Sequence, residues 1–500
     1  MPKSPLTYTK PTLDKDLDKI ARLELATLFL SRGYVGLGLA AIFLALALIF
    51  ASFFVTGLPG SFIIIAAAVI GAYMALNIGA NDVANNVGPA VGSKAMSMGL
   101  ALVIAVIFES AGALIAGGDV VGTISKGIID PSRFEDSNIF IWAMLAALIS
   151  SAVWVNIATW VGAPVSTTHS VVGGVMGAGI AAAGLASVNW PTMASIAASW
   201  IISPLVGGLV AAAFLALIKT LIIYQDDKIA AARRWVPLLI AIMAGTFSAY
   251  LALKGLKKLV KIDLQTALLV GMIVAIVAWG ILRPLIRRQS EGMENRNQSL
   301  RKLFAIPLIC SAALLSFAHG ANDVANAVGP LAAIVHTAGA GEIAANVTIP
   351  LWVMVIGAFG ISFGLLLFGP KLIRMVGQQI TKLNPMRAFC VSLSAAITVI
   401  IASGLGLPVS STHIAVGAVF GVGFFREWYT GRSERRRRYV NAHKINKDGT
   451  QVPVNKAELR RRKLVRRSHF MTIVAAWVIT VPAAALLSAM IFLLLSAFLG

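Results

Sequence analysis

Cysteine and charge are both scarce in this chain. Its two cysteines, Cys310 and Cys390, lie in separate apolar stretches, which argues against a disulfide framework and against a thiolate metal site. They read as small buried side chains. Charged residues make up 13% of the chain and hydrophobic ones 58%, whereas soluble domains carry roughly 25% charged residues. Period-two alternation, the mark of an outer-membrane barrel, is also missing. The apolar runs are continuous, rich in Ala, Leu and Ile, and near the ~20 residues that a spanning helix needs. Acids are half as frequent as bases, 21 against 42, for a net charge of +21. About half of that excess falls between Arg426 and Arg467, where fifteen Lys or Arg face four acids. Few aromatics accompany them and no nucleic-acid module is recognisable, so nucleic acid is not an expected partner. The run Arg435-Arg436-Arg437-Arg438 instead suits a solvated loop near anionic lipid headgroups.

The expected fold is an all-α polytopic membrane protein with about twelve transmembrane segments. Residues 1–34 are charged and contain proline, unlike a secretory signal, so no cleaved leader is expected. A first transmembrane helix over 35–58 precedes a first repeat at 59–224, connecting helices and a loop at 225–302, and a second repeat at 303–424. A basic loop over 425–469 and a last helix over 470–500 follow. Lys and Arg place the loops around Arg233, around Arg287 to Lys302, and over 425–469 in the cytoplasm, and the parity of the segments agrees. The turn with Lys257, Lys258 and Lys261 then falls outside, against the rule. By the same count the two repeats enter the membrane from opposite faces, an inverted-topology arrangement with broken or re-entrant helices.

Two motifs are written twice. Gly79-Ala80-Asn81-Asp82-Val83-Ala84-Asn85-Asn86-Val87-Gly88 nearly recurs as Gly320-Ala321-Asn322-Asp323-Val324-Ala325-Asn326-Ala327-Val328-Gly329. Pro164-Val165-Ser166-Thr167-Thr168-His169 recurs as Pro408-Val409-Ser410-Ser411-Thr412-His413. The hexapeptide follows its decapeptide at a nearly constant interval, so each pair reads as one half of a single site. Polar groups are costly in hydrocarbon, and placing the same set twice at membrane depth marks a transport site.

The two motifs suit opposite charges. In the hexapeptides a proline is expected in the first helical turn, with hydroxyls capping the free amides. A helix N-terminus with hydroxyl donors suits a tetrahedral oxyanion, here Ser166, Thr167 and Thr168 with Ser410, Ser411 and Thr412. His169 and His413 either donate to that anion or orient their neighbours. Asp82 and Asp323 read as cation ligands, with amide oxygens from Asn81, Asn85, Asn322 and Asn326. Gly79 and Gly320 are expected to let the helix unwind and lend carbonyls, an all-oxygen set suited to Na⁺, although a protonatable aspartate could carry H⁺ instead. Glu109 interrupts an apolar run and is assigned to the pathway or to coupling. His319 has no counterpart, since Ile78 occupies the matching position, and is read as structural.

These motifs resemble those of the PiT family of inorganic phosphate transporters, which includes the animal sodium–phosphate symporters. Further similarity runs through Ile107-Phe108-Glu109-Ser110 to Lys126-Gly127-Ile128-Ile129-Asp130, and through Ala198-Ser199-Trp200-Ile201-Ile202-Ser203-Pro204-Leu205. The resemblance implies phosphate import by Na⁺ or H⁺ symport through alternating access. It assigns the anion to the six hydroxyl residues and the cation, Na⁺ if sodium is the coupling ion, to Asp82, Asn85, Asp323 and Asn326. The setting it implies is the plasma (inner) membrane, with a homo-oligomer, first a dimer, as the assembly. No cofactor and no enzymatic activity are expected. Ser392 stands where animal members carry a second glutamate, which leaves the coupling ion open, and Asn86 stands where a small residue is usual. A sulfate permease of the same fold is the alternative, and a non-transporting receptor or scaffold is the rival from another class.

Overall fold

The computed structural model describes residues 34–134, 136–161, 165–255, 262–341, 349–379, 383–434 and 467–499. Helix α1 (Tyr34–Val55) precedes α2 (Ser61–Asn81), which breaks at Asp82 and Val83 and resumes as α3 (Ala84–Gly92). Next come α4 (Met98–Ala116), a short α5 (Gly118–Lys126), α6 (Ser137–Val161), α7 (Thr167–Ala183) and α8 (Trp190–Ile218). A hairpin of α9 (Lys228–Lys254) and α10 (Leu264–Gln289) leads through α11 (Asn297–Leu303) to α12 (Ala305–Ala340). Helices α13 (Leu351–Gln379), α14 (Pro385–Gly404), α15 (Ser411–Arg432) and α16 (Arg467–Leu499) complete the described chain. The Lys257 turn, the Arg435–Arg438 run and most of the N-terminal segment lie outside the described residues.

Eleven of these helices are long and apolar enough to cross a membrane. Their starts follow local chemistry. Side-chain oxygens of Ser97, Asn189, Asp227 and Asn384 accept the free amides that open α4, α8, α9 and α14, and Pro385 supplies a first-turn residue that needs no amide partner. In the loop after α5, Asp130 caps a short turn. The Ser132 hydroxyl and backbone amide hold its carboxyl below the usual carboxylate range.

Neither α7 nor α15 counts among the eleven. Each begins in the interior, after a helix that ends at an exposed residue. Trp160, at the end of α6, is 87% exposed and Leu405, after α14, is 71% exposed, whereas Thr167 and Ser411 are buried. Proline is not in the first turn of α15. Pro408 lies two residues before the capping Ser410, and Pro164 is outside the described residues.

Glycines set how closely the helices approach, as is usual where lipid supplies no hydrophobic drive between them. A Cβ on Gly320 would run into the backbone carbonyl of Glu109 on α4, and one on Gly79 into that of Ile361 on α13. This corrects the expectation that both glycines unwind their helices. Gly320 lies inside the unbroken α12, and the front copy breaks only after Asn81. Contact registers give the helix directions. Gly71 faces Leu331 while Asp82 and Asp323 come together, so α2 and α12 run antiparallel. Gly112 and Gly117 face Phe317 and Val324, so α4 runs parallel to α12.

Candidate functional site

The N-termini of α7 and α15 meet in the interior. Ser166 accepts from the amide of His169 and Ser410 from that of His413, so each hexapeptide caps its own helix. Thr168 Oγ1 donates to the Val409 carbonyl at 3.1 Å, tying one hexapeptide to the other. One turn further in, the rings of His169 and His413 pack edge-on with centroids 4.4 Å apart, and Trp200 lies against His169. The ring nitrogens of His169 have no hydrogen-bond partner among the described residues.

The duplicated decapeptides bring their polar groups to these helix ends. Asp82 accepts from Thr167 Oγ1 at 2.7 Å and from Thr412 Oγ1 at 3.1 Å. Asp323 accepts from Ser411 Oγ at 3.3 Å. Asn85 Nδ2 donates to Thr412 Oγ1 at 2.9 Å, and Asn326 Nδ2 to Thr167 and Thr168 at 3.3 and 3.2 Å. Asn81 and Asn322 act differently. Asn81 Nδ2 holds the Val165 carbonyl. Asn322 donates to Ser403 and the Leu407 carbonyl and accepts from the Val409 amide, so both residues brace the backbone that precedes α7 and α15.

A second polar cluster has no repeat. His319 Nδ1 lies 2.7 Å from Glu109 Oε2, and its Nε2 lies 2.9 Å from Asp323 Oδ2. Asn86 Nδ2 donates to the other Glu109 oxygen at 2.7 Å. The ring is hydrogen-bonded to Glu109 through Nδ1, while its Nε2 makes no hydrogen bond among the described residues and lies in ion-pair range of Asp323. His319, read from sequence as structural, therefore belongs to the site. The available signal was its spacing of four from Asp323, which puts both on one helix face. Ser392, at the position of the animal glutamate, is buried in α14, and its hydroxyl has no hydrogen-bond partner among the described residues.

The centre is rich in oxygen acceptors. One oxygen each of Asp82 and Asp323 and a nitrogen of His319 lie within 4.8 Å of one another. Asp323 Oδ1 and Asn326 Oδ1 are buried with no hydrogen-bond partner among the described residues. Two neighbouring buried carboxyl groups and two unmet acceptors form a cation-seeking arrangement, because each unmet group keeps its desolvation cost.

A helical bundle that holds such a centre between two copies of each motif is the architecture of a membrane transporter. The chain belongs to the phosphate transporter family, whose model matches residues 78–488. It is 47% identical to a protein of Helicobacter pylori assigned as a phosphate permease, over 96% of this chain and 98% of that one. A relative from Pyrococcus abyssi with the same assignment is 37% identical over 85% of this chain and 96% of its own. Among solved structures, a sodium-dependent phosphate transporter superposes with a TM-score of 0.77 at 34% identity, covering 87% of this chain and all of that one. The family expected from the motifs is the one found.

Proposed function

We propose that this protein imports inorganic phosphate together with a cation, by alternating exposure of the site between α2–α3, α7, α12 and α15. The observation that carries the reading is the sharing of hydroxyls between the two motifs. Thr167 and Thr412 lie at the helix ends suited to an oxyanion, yet both spend their protons on Asp82.

That sharing supplies a coupling mechanism. A hydroxyl has one proton to donate, so Thr167 and Thr412 cannot serve Asp82 and an arriving phosphate together. A cation at Asp82 takes over the carboxylate and frees both hydroxyls to turn toward the anion. Each ligand thus lowers the cost of binding the other, which is the reciprocity that symport requires. The free amides of α7 and α15 add a partial positive charge where phosphate oxygens would lie. Asp323 Oδ1 and Asn326 Oδ1 would complete a second group of cation ligands. Oxygen ligands suit Na⁺, and the likeness to a sodium-dependent transporter favours it over H⁺.

The antiparallel course of α2 and α12 supports two inverted repeats, with the site reached from either side as one repeat rocks against the other. Basic residues at the ends of α10 and α11 support a cytoplasmic side there, and so an inner-membrane setting. The test is accumulation of radiolabelled phosphate by proteoliposomes under an imposed Na⁺ or H⁺ gradient. Absence of uptake under both gradients sinks the reading, and competition by equimolar sulfate would move the substrate to the sulfate permease alternative.

A further inference from the structure

The two copies of the decapeptide differ where the structure is most polar. Asn86 stands against Ala327 in the other copy, and His319 against Ile78. Contacts along the helices match Glu109 with Ile361, since these two face Gly320 and Gly79 in the same way. Three unrepeated polar residues from α3, α4 and α12 thus form one hydrogen-bonded chain. It runs from Asn86 through Glu109 to His319 in steps of 2.7 and 2.7 Å, and His319 Nε2 then lies in ion-pair range of Asp323 Oδ2 at 2.9 Å; each of the four is at most 1% exposed. Each of the three is costly at membrane depth without the next.

We propose that Asn86 is a positioning residue for the cation half of the site, acting through Glu109 and His319 on Asp323. Its amide fixes Glu109 Oε1, which leaves Oε2 to hold the imidazole, and the imidazole sets the direction of the Asp323 carboxyl group. Asp323 Oδ1 is thereby kept off the ring and available for a cation. The chain also crosses the molecule, since Asn86 belongs to the front motif and Asp323 to the back one. The unrepeated chain ends at Asp323, which makes the two cation positions unlike. Asp82, held by two threonine hydroxyls, and Asp323, held by serine and histidine, then differ in cation affinity.

The inference rests on the proposed symport, and its test separates the two. Wild type, Asn86→Ala and the isosteric Asn86→Leu are reconstituted, and phosphate uptake is titrated against the driving cation, Na⁺ or H⁺, that wild type uses. Removing a group that directly orients a cation ligand costs about 10–100-fold in affinity, and Asn86 acts two residues further out, so the half-saturating cation concentration is expected to rise several-fold, up to about tenfold. The phosphate KM at saturating cation should stay within about twofold, a split that general loosening of the fold would not produce. In a Glu109→Gln background, either Asn86 substitution should add little, because the pathway is already cut. An unchanged cation dependence, a shift in phosphate KM alone, or full additivity with Glu109→Gln overturns the positioning role even where wild type transports. If neither Asn86 variant yields folded protein, Asn86 is structural and the positioning role is also lost. A wild type that moves no phosphate removes the symport reading itself.

Discussion

Asn85, in the front decapeptide, donates its side-chain amide to Thr412, in the back hexapeptide, at 2.9 Å. The counterpart bond, from Asn326 to Thr168, crosses the other way at 3.2 Å. Within each half, the aspartate meets a hydroxyl of its own hexapeptide, Thr167 for Asp82 and Ser411 for Asp323. Asn85 and Asn326 therefore bind between halves, whereas each aspartate has one bond within its own half and Asp82 has a second, from Thr412, that crosses. A motion that separates the halves must carry or break the Asn85, Asn326 and Thr412–Asp82 bonds, whereas Thr167–Asp82 and Ser411–Asp323 can travel intact.

Thr412 is the residue on which the shared-hydroxyl coupling can be tested most directly. It donates to Asp82 and accepts from Asn85, so Thr412→Val removes both bonds at nearly constant volume. Hydrogen bonds to charged groups are worth about 1.5–3 kcal/mol, or about tenfold or more in affinity. Half-saturating concentrations of cation and phosphate should both rise about tenfold, and Thr412→Ser should recover most of the loss. A change in phosphate affinity alone would show that the hydroxyl does not link the two ligands.

Asp82→Asn and Asp323→Asn each remove one charge from a buried pair without changing shape. Uptake driven by a cation gradient should fall to the level of empty liposomes in both. Retention of wild-type rates by both variants would rule out the aspartates as cation ligands. Exchange of phosphate for phosphate, which needs no net cation movement, is expected to outlast accumulation.

Close helix contact at Gly320 and Gly79 predicts stability rather than transport. A methyl group at either meets backbone carbonyl and not a yielding side chain. Overpacking of that kind costs about 1–3 kcal/mol or more. Gly320→Ala and Gly79→Ala should lower the thermal unfolding midpoint in detergent, with or without phosphate. Gly280→Ala, on α10 with open space around it, should leave the midpoint unchanged or raise it. Equal midpoints in all three variants would contradict the packing.

Much of this site was legible because it is duplicated. Asp82 and Asp323, and Thr167 and Ser411, were found by repetition at a fixed interval, and spanning helices by the length of apolar runs. Repetition failed where the site is asymmetric. Nothing in the front copy pointed to His319, because Ile78 matches it, and its contact with Glu109 joins residues 210 apart in sequence. Glycine misled for a related reason. Chain sequence shows that Gly320 lacks a Cβ but not whether the space is used for backbone freedom or for another helix, and here α4 fills it. The roles of Asn81 and Asn322 also depended on tertiary placement, since an amide four residues from another can face either a cation or a backbone carbonyl.

Ser110 on α4 and Ser362 on α13 supply the final test, of the symmetry itself. Their hydroxyl oxygens are 2.8 Å apart, and they follow the matched residues Glu109 and Ile361 by one position. If an axis relates the two proposed repeats, equivalent residues touch only where it passes between them, which would put this contact and the His169–His413 pair along it. A disulfide needs Cβ atoms about 3.5–4.5 Å apart, a spacing that two bonded hydroxyls permit. The variant Ser110→Cys with Ser362→Cys, in a chain whose Cys310 and Cys390 are replaced by Ala, should therefore cross-link on mild oxidation. Mass spectrometry of a proteolytic digest reads the link directly, and each single cysteine variant serves as the control. If α4 and α13 separate when the halves rock, oxidation should abolish uptake and reduction should restore it. If cross-linking leaves uptake intact, the halves pivot about this contact without parting there. Failure to cross-link at all would place α4 and α13 further apart than the bonded serines require.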